Sequence, residues 1–198
     1  MENGRRKFLQ TTGLATAGSL LALSAIAGRQ KQSDNFLNVK ASETSSENDF
    51  DFYVGKWRIQ NRKLKTRLNN CQEWEEFEST DECMKILNGL GSIDHYRATF
   101  DNKPFEGLTL RLFDAKSKLW SMYWVDSERM VLDAPVVGSF ENKIGKFYAK
   151  DTYEGKTILM VFHWDVSDPE VPLWKQAFSP DWGKTWEWNW YMTAHRIV

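Results

Sequence analysis

The chain has 198 residues, with 26 Lys and Arg against 27 Asp and Glu for a net charge of −1, and 41% of its residues are hydrophobic. That balance leaves no electrostatic footprint for nucleic acid or an anionic membrane surface, and the length suits one domain with a sizeable core rather than two. Ten tryptophans are the strongest compositional oddity.

Residues 5–10 read RRKFLQ, and Leu14 to Ala27 follow as a weakly apolar run ending in Ala25-Ile26-Ala27. This resembles a twin-arginine export signal with a small-residue cleavage site after Ala27. The apolar run is shorter than the roughly 20 residues that cross a bilayer, which favours a cleaved signal peptide (1–27) over an anchor. The resemblance implies export in the folded state by the twin-arginine machinery, to a periplasmic or extracellular destination. Cleavage leaves 171 residues with 23 basic and 26 acidic side chains, a net charge of −3.

Residues 28–49 are polar and aperiodic, and read as a disordered linker. From residue 50 the texture changes to short runs rich in Trp, Phe, Tyr, Val and Ile, separated by turn chemistry. Ten strands are expected, over 52–66, 72–87, 92–100, 105–113, 118–126, 135–141, 145–152, 156–165, 171–179 and 185–197. The fold class is all-β, a single antiparallel barrel spanning 50–198. Leu108, Leu110 and Leu112 alternate with Thr109 and Arg111; Trp120, Met122 and Trp124 make a similar row. Asp126 to Pro135 is a candidate flap. Ser179 to Trp186, SPDWGKTW, resembles the Asp-box of sialidases, but one box in a chain this short builds no propeller. It is read as the last hairpin, with Ser179 and Asp181 bonding local N–H groups and Gly183 taking a positive φ.

Cys71 and Cys83 enter an oxidising compartment if the export reading holds. They either form a disulfide between neighbouring strands or sit as small apolar residues. Two thiols without histidines at matching spacing make no zinc site, and no metal or cofactor is expected.

The domain opens with FYVGKWRI, containing Gly55-x-Trp57, and ends with Arg196 close to its terminus. This pairing resembles the calycin superfamily of lipocalins and fatty-acid-binding proteins, and the stretches FDFYVGKW, EWEEFEST, GLTLRLFD, LWSMYWVD, VVGSF and QAFSPDWGKTWEWNW are similar to an uncharacterised bacterial family of that type. The resemblance implies that the first and last strands pair, that Gly55, Trp57 and Arg196 close one end, and that the lumen holds a small apolar or amphipathic guest. It brings no reaction.

The ligand-contacting candidates are Arg111, Trp120, Tyr123, Trp124, His163, Gln176, Trp188 and Trp190. The rings offer flat apolar walls, Arg111 a counter-charge for an acidic guest, and His163 the best-placed axial ligand were a haem bound. Two alternatives stand beside carriage. One is a small enzyme (isomerase, cyclase or dehydratase) using an in-barrel carboxylate, Glu76 being the candidate, with Arg111 or Tyr123. The other is a structural envelope protein whose barrel is filled. No Gly-x-Ser-x-Gly, phosphate loop or Cys–His pair points to a nucleophile.

Overall fold

A computed structural model describes residues 39–197. Ten strands occur in the expected order: β1 Gly55–Leu64, β2 Trp74–Ile86, β3 Gly91–Phe100, β4 Lys103–Asp114, β5 Leu119–Asp126, β6 Val136–Glu141, β7 Ile144–Tyr153, β8 Lys156–Asp165, β9 Leu173–Ser179 and β10 Glu187–Arg196. Each pairs antiparallel with its chain neighbour, and β1 pairs with β10, so the sheet closes into one barrel without free edges. Among the described residues the only helical pieces are two single 3-10 turns, Asp51–Tyr53 and Leu87–Gly89. The expected signal peptide and the first part of the expected linker lie outside the described residues.

Residues directly opposite in an antiparallel ladder put their side chains on the same face, so the register sorts every strand into lumen and exterior. Trp57 is opposite both Arg196 and Asp81, Asp81 opposite Tyr96, and Tyr96 opposite Gly107. The chain of partners continues through Asp126 on β5, and Trp57, Ile59, Asn61 and Lys63 all face inward from β1. Because the strands alternate in direction, one end carries Trp57, Arg196 and the loops after β2, β4, β6 and β8. That end is the base; the end carrying the loops after β1, β3, β5, β7 and β9 is the mouth.

The base is shut by the two chain ends of the domain. Arg196 Cζ lies 4.2 Å from the centroid of the Trp57 indole, and its guanidinium donates to Val54 O at 2.8 Å and Phe52 O at 2.7 Å. Trp57 is fully buried, stacks on Tyr53 at 5.3 Å and donates its Nε1–H to Tyr53 O at 2.7 Å. Gly55 sits at φ +121°, and a Cβ there would stand 2.8 Å from Arg196 Nη1. Glycine is therefore required twice over, by backbone and by space.

Composition assigned residues 39–49 to a disordered linker, and here the structure differs. Ser45 is buried, Ser45 and Ser46 hydrogen-bond the Asp49 carboxylate, and Ser42 N donates to Ser139 Oγ on β6. The segment delivers Phe50 beneath the barrel, where its ring meets Trp120 at 5.0 Å, Phe140 at 5.2 Å and Trp164 at 6.0 Å. A polar segment is ordered because it carries one apolar plug that the core receives, a tertiary fact that local composition does not record.

The disulfide does not form: both cysteines are free. Cys71 precedes β2 at the mouth, while Cys83 faces the lumen near the base, opposite Gly55. At about 3.3 Å per residue the intervening strand holds them some 30 Å apart, several times the reach of a bridge.

The Asp-box does form the last hairpin. Asp181 Oδ1 accepts from Ser179 Oγ at 2.8 Å and Thr185 N at 2.9 Å, Ser179 Oγ accepts from Gly183 N at 2.7 Å, and Gly183 has φ +88°. These donors hold the Asp181 carboxyl down at about 2, with the Thr185 hydroxyl the largest cause. The motif shapes a turn and contributes no group to the lumen.

Candidate functional site

The lower lumen is solid. Above Phe50, Arg111 on β4 forms a buried ion pair with Asp94 on β3, and its guanidinium lies 5.0 Å from the Phe50 ring and 5.3 Å from that of Tyr53. Burial opposes the charge on Arg111, but the neighbouring Asp94 outweighs it and the guanidinium stays protonated. Beside the pair, Tyr53 Oη donates to Asp81 Oδ2 at 2.8 Å. Burial, reinforced by the charge on Asp94, pushes the Asp81 carboxyl up to about 8. One guanidinium thus serves one carboxylate, and the second acid holds a proton at neutral pH. Burial likewise raises the lumen-facing Cys83 thiol to about 11. The gap left among Tyr53, Ile59, Trp164, Trp174, Met192 and Ala194 is only about 10 Å³, too small for a guest.

The upper lumen differs. Phe77, Phe100, Phe105, Trp124, Phe162 and Trp190 all face inward by register yet remain half-buried. Inward side chains of a closed barrel meet solvent at its open end, so these rings are the candidate walls of a cup at the mouth. Edge contacts organise it: Phe77 on Phe100 at 4.9 Å, Phe100 on Phe105 at 5.4 Å, and Trp174 on Trp190 at 5.7 Å. The Trp124 indole packs against Gly107, where a Cβ would stand 2.1 Å from the ring. The polar floor is shared: Asn61 Oδ1 accepts from Trp190 Nε1 at 3.1 Å and Tyr96 Oη at 3.3 Å, while Asn61 Nδ2 donates to Ser79 Oγ at 2.8 Å. Gln176 donates to Asn189 Oδ1 at 2.9 Å. Asn189 turns inward because the β9–β10 register shifts between Trp188 and Trp190.

The loop after β5, the expected flap, stands at this mouth. Arg129 ties its two ends together, reaching Asp126 at 2.8 Å and Asp133 at 2.8 Å. Between them Met130, Val131 and Leu132 are exposed.

The sequence candidates divide by face. Trp124, Gln176 and Trp190 line the cup. Arg111 and Trp120 face inward but belong to the solid base: Arg111 is paired, and Trp120 donates to Ser46 O and Asp49 Oδ2 at 3.2 Å. Tyr123, His163 and Trp188 point outward, which corrects their assignment to the lumen. Tyr123 is opposite the outward Leu110. His163 is opposite Lys146 and Lys175, packs on Trp188 at 6.1 Å, and has its pKa lowered by burial and by Lys175. It is therefore no axial ligand for a group inside the barrel. Glu76 lies outside as well, near Arg62 at 3.8 Å, and so is not an in-barrel acid. The leucine row of β4 faces outward, and the inward residues of that strand include Thr109, Arg111 and Phe113.

Sequence reading missed Asn61, Lys63, Asp81, Asp94 and Asn189. Period-two alternation held the signal for two of them: Ser79, Asp81 and Cys83 on β2 and Ser92, Asp94 and Tyr96 on β3 each make a small polar row on one face.

A concavity of about 670 Å³ lies elsewhere, between residues 39–43 and the β4–β5 turn. It is broad, lined by Lys40, Ser42, Lys116 and Lys118 among others, and contains no ring; a surface groove of that kind does not hold an apolar guest.

The barrel is similar to two solved structures. An S-type phycobiliprotein lyase from Guillardia theta matches with a TM-score of 0.53 and 13% identity, covering 79% of this chain and 94% of the other. The likeness is one of fold, a closed antiparallel barrel of ten strands in this chain. Rv2717c from M. tuberculosis matches with a TM-score of 0.49 and 10% identity, covering 76% and 98% of the two chains. No protein-family model matches the chain, and no curated protein matches it either.

Proposed function

We propose that this is an exported carrier barrel that binds a small apolar or amphipathic molecule in the ring-lined cup at its mouth. The observation that carries the reading is the split of the lumen: a packed base beneath inward aromatic rings that remain accessible to water. Half-exposed rings on rigid strands lose little entropy on binding and release water when covered. The calycin-like fold supports a role in ligand binding, and the RRKFLQ segment supports export by the twin-arginine route.

A second reading, a structural protein with a filled barrel, is favoured by the 10 Å³ gap at the base. The two separate on purification of the mature protein from its native host under non-denaturing conditions, followed by native mass spectrometry. A mass excess that disappears on organic extraction, and is reduced in Trp190→Ala, is the result expected for a carrier. Apo mass alone, together with failure of apolar dyes to quench tryptophan fluorescence, refutes carriage.

A further inference from the structure

The cup has a charged corner. Lys63, inward on β1, holds its Nζ 4.5 Å from the centroid of Trp190. Arg67, from the loop after β1, reaches across to β9 with its Cζ 5.8 Å from the Phe178 ring. Phe178 is inward and opposite Glu187 at the mouth end of β10, two residues from Asn189. The three polar side chains therefore converge on one wall.

Their hydrogen-bond state has a single sign. Arg67 Nε and Asn189 Nδ2 are both buried and have no partner within the protein. Among the described residues neither Lys63 nor Arg67 makes an ion pair, although Glu75 faces Lys63 across the strand and Glu128 of the flap acts on it at longer range. Glu187, the nearest carboxylate in sequence to this wall, instead accepts from Leu68 N at 2.7 Å. Both unsatisfied atoms here are donors, one of them on a guanidinium, and the Lys63 ammonium beside them adds a second positive charge. Burial, followed by repulsion from Arg67, pulls the Lys63 ammonium below its ordinary pKa. Unsatisfied buried donors are costly, and one acceptor-rich anion satisfies several at once.

We propose that Lys63, Arg67 and Asn189 form an anion-recognition site at the mouth, and that the guest is an amphiphile with a single acidic oxyanion head and an apolar body lying along Trp190 and the cup rings. Arg111, the cation that the sequence singled out for this task, is already neutralised by Asp94, so the specificity lies at the rim instead of the floor. The inference rests on the cup being the binding site.

Two dyes that differ only in the anion test it. N-Phenyl-1-naphthylamine is neutral, and 8-anilinonaphthalene-1-sulfonate carries the same rings with a sulfonate. Titration of the mature protein is expected to give tighter binding of the sulfonate. Lys63→Met and Arg67→Met, which keep apolar reach, should each weaken the sulfonate about 10-fold, the size of a lost charge-assisted hydrogen bond. The neutral dye should shift less than about 2-fold, and added salt should weaken only the sulfonate. Trp190→Ala should weaken both, and circular dichroism establishes that each variant is folded. If the neutral dye binds in a Trp190-dependent way but neither charge variant affects the sulfonate, the anion site is overturned and the cup stands. If neither dye binds, or both ignore Trp190→Ala, the cup itself falls and the anion site falls with it.

Discussion

Replacing Gly55 by alanine isolates the device that closes the base. The new Cβ would stand 2.8 Å from Arg196 Nη1, and the residue would be held at φ +121°. The strained backbone costs about 1 kcal/mol or somewhat more. The guanidinium is the flexible partner and must swing out. It then gives up its contact with the Trp57 ring, worth roughly 1 kcal/mol, and its two backbone hydrogen bonds, worth about 1 kcal/mol together after allowance for partial exposure. The expected loss is about 3 kcal/mol, or a Tm decrease of ~6–12 °C for a domain of this size. Arg196→Ala should lose about 2 kcal/mol, since only the backbone strain is spared. The double variant should then be about as unstable as Gly55→Ala alone, because the contact can be lost only once. Urea and thermal unfolding of all four proteins measure the cycle. Additivity within about 0.5 kcal/mol would show that Gly55 and Arg196 act independently and that the glycine is not there to admit the guanidinium.

Two further outcomes are expected. The Asp81 carboxyl is raised to about 8 by burial and Asp94, so its proton stabilises the fold fully below the ordinary carboxylate range, and that contribution is lost as pH rises towards 8. Asp81→Asn, which stays neutral and can still accept from Tyr53, should flatten the fall in urea midpoint between pH 5 and 8; an unchanged slope would place the titration elsewhere. For the N-terminus, replacing Arg5 and Arg6 by lysine should trap the precursor inside the cell in fractionation blots, and normal export would remove the twin-arginine reading.

The order and number of strands were legible because each is a local run of β-branched and aromatic residues bounded by turn chemistry, and none needs a distant partner to be recognised. The Asp-box was legible for the same reason: all of its hydrogen bonds fall between residues 179 and 185. Gly55, Trp57 and Arg196 were found through a resemblance, and the register of β1 on β10 brings them into contact.

Which face of each strand looks inward was a different matter. Alternation yields two faces, and where both are mixed only closure of the barrel decides between them. That is why the leucine row of β4 turned out, Arg111 turned in, and Tyr123, His163 and Trp188 left the lumen. Arg111 illustrates the point further, for the sequence displays its charge but not the Asp94 that cancels it from a neighbouring strand. The candidate anion site is hidden for the same reason. Lys63 and Arg67 look like solvated cations in a linear chain, and Asn189 is buried only because a register shift turns it inward. Local side-chain chemistry determined the strands and turns; pairing across the barrel, a sum over residues far apart in the chain, decided which charges are satisfied and which remain to meet a guest.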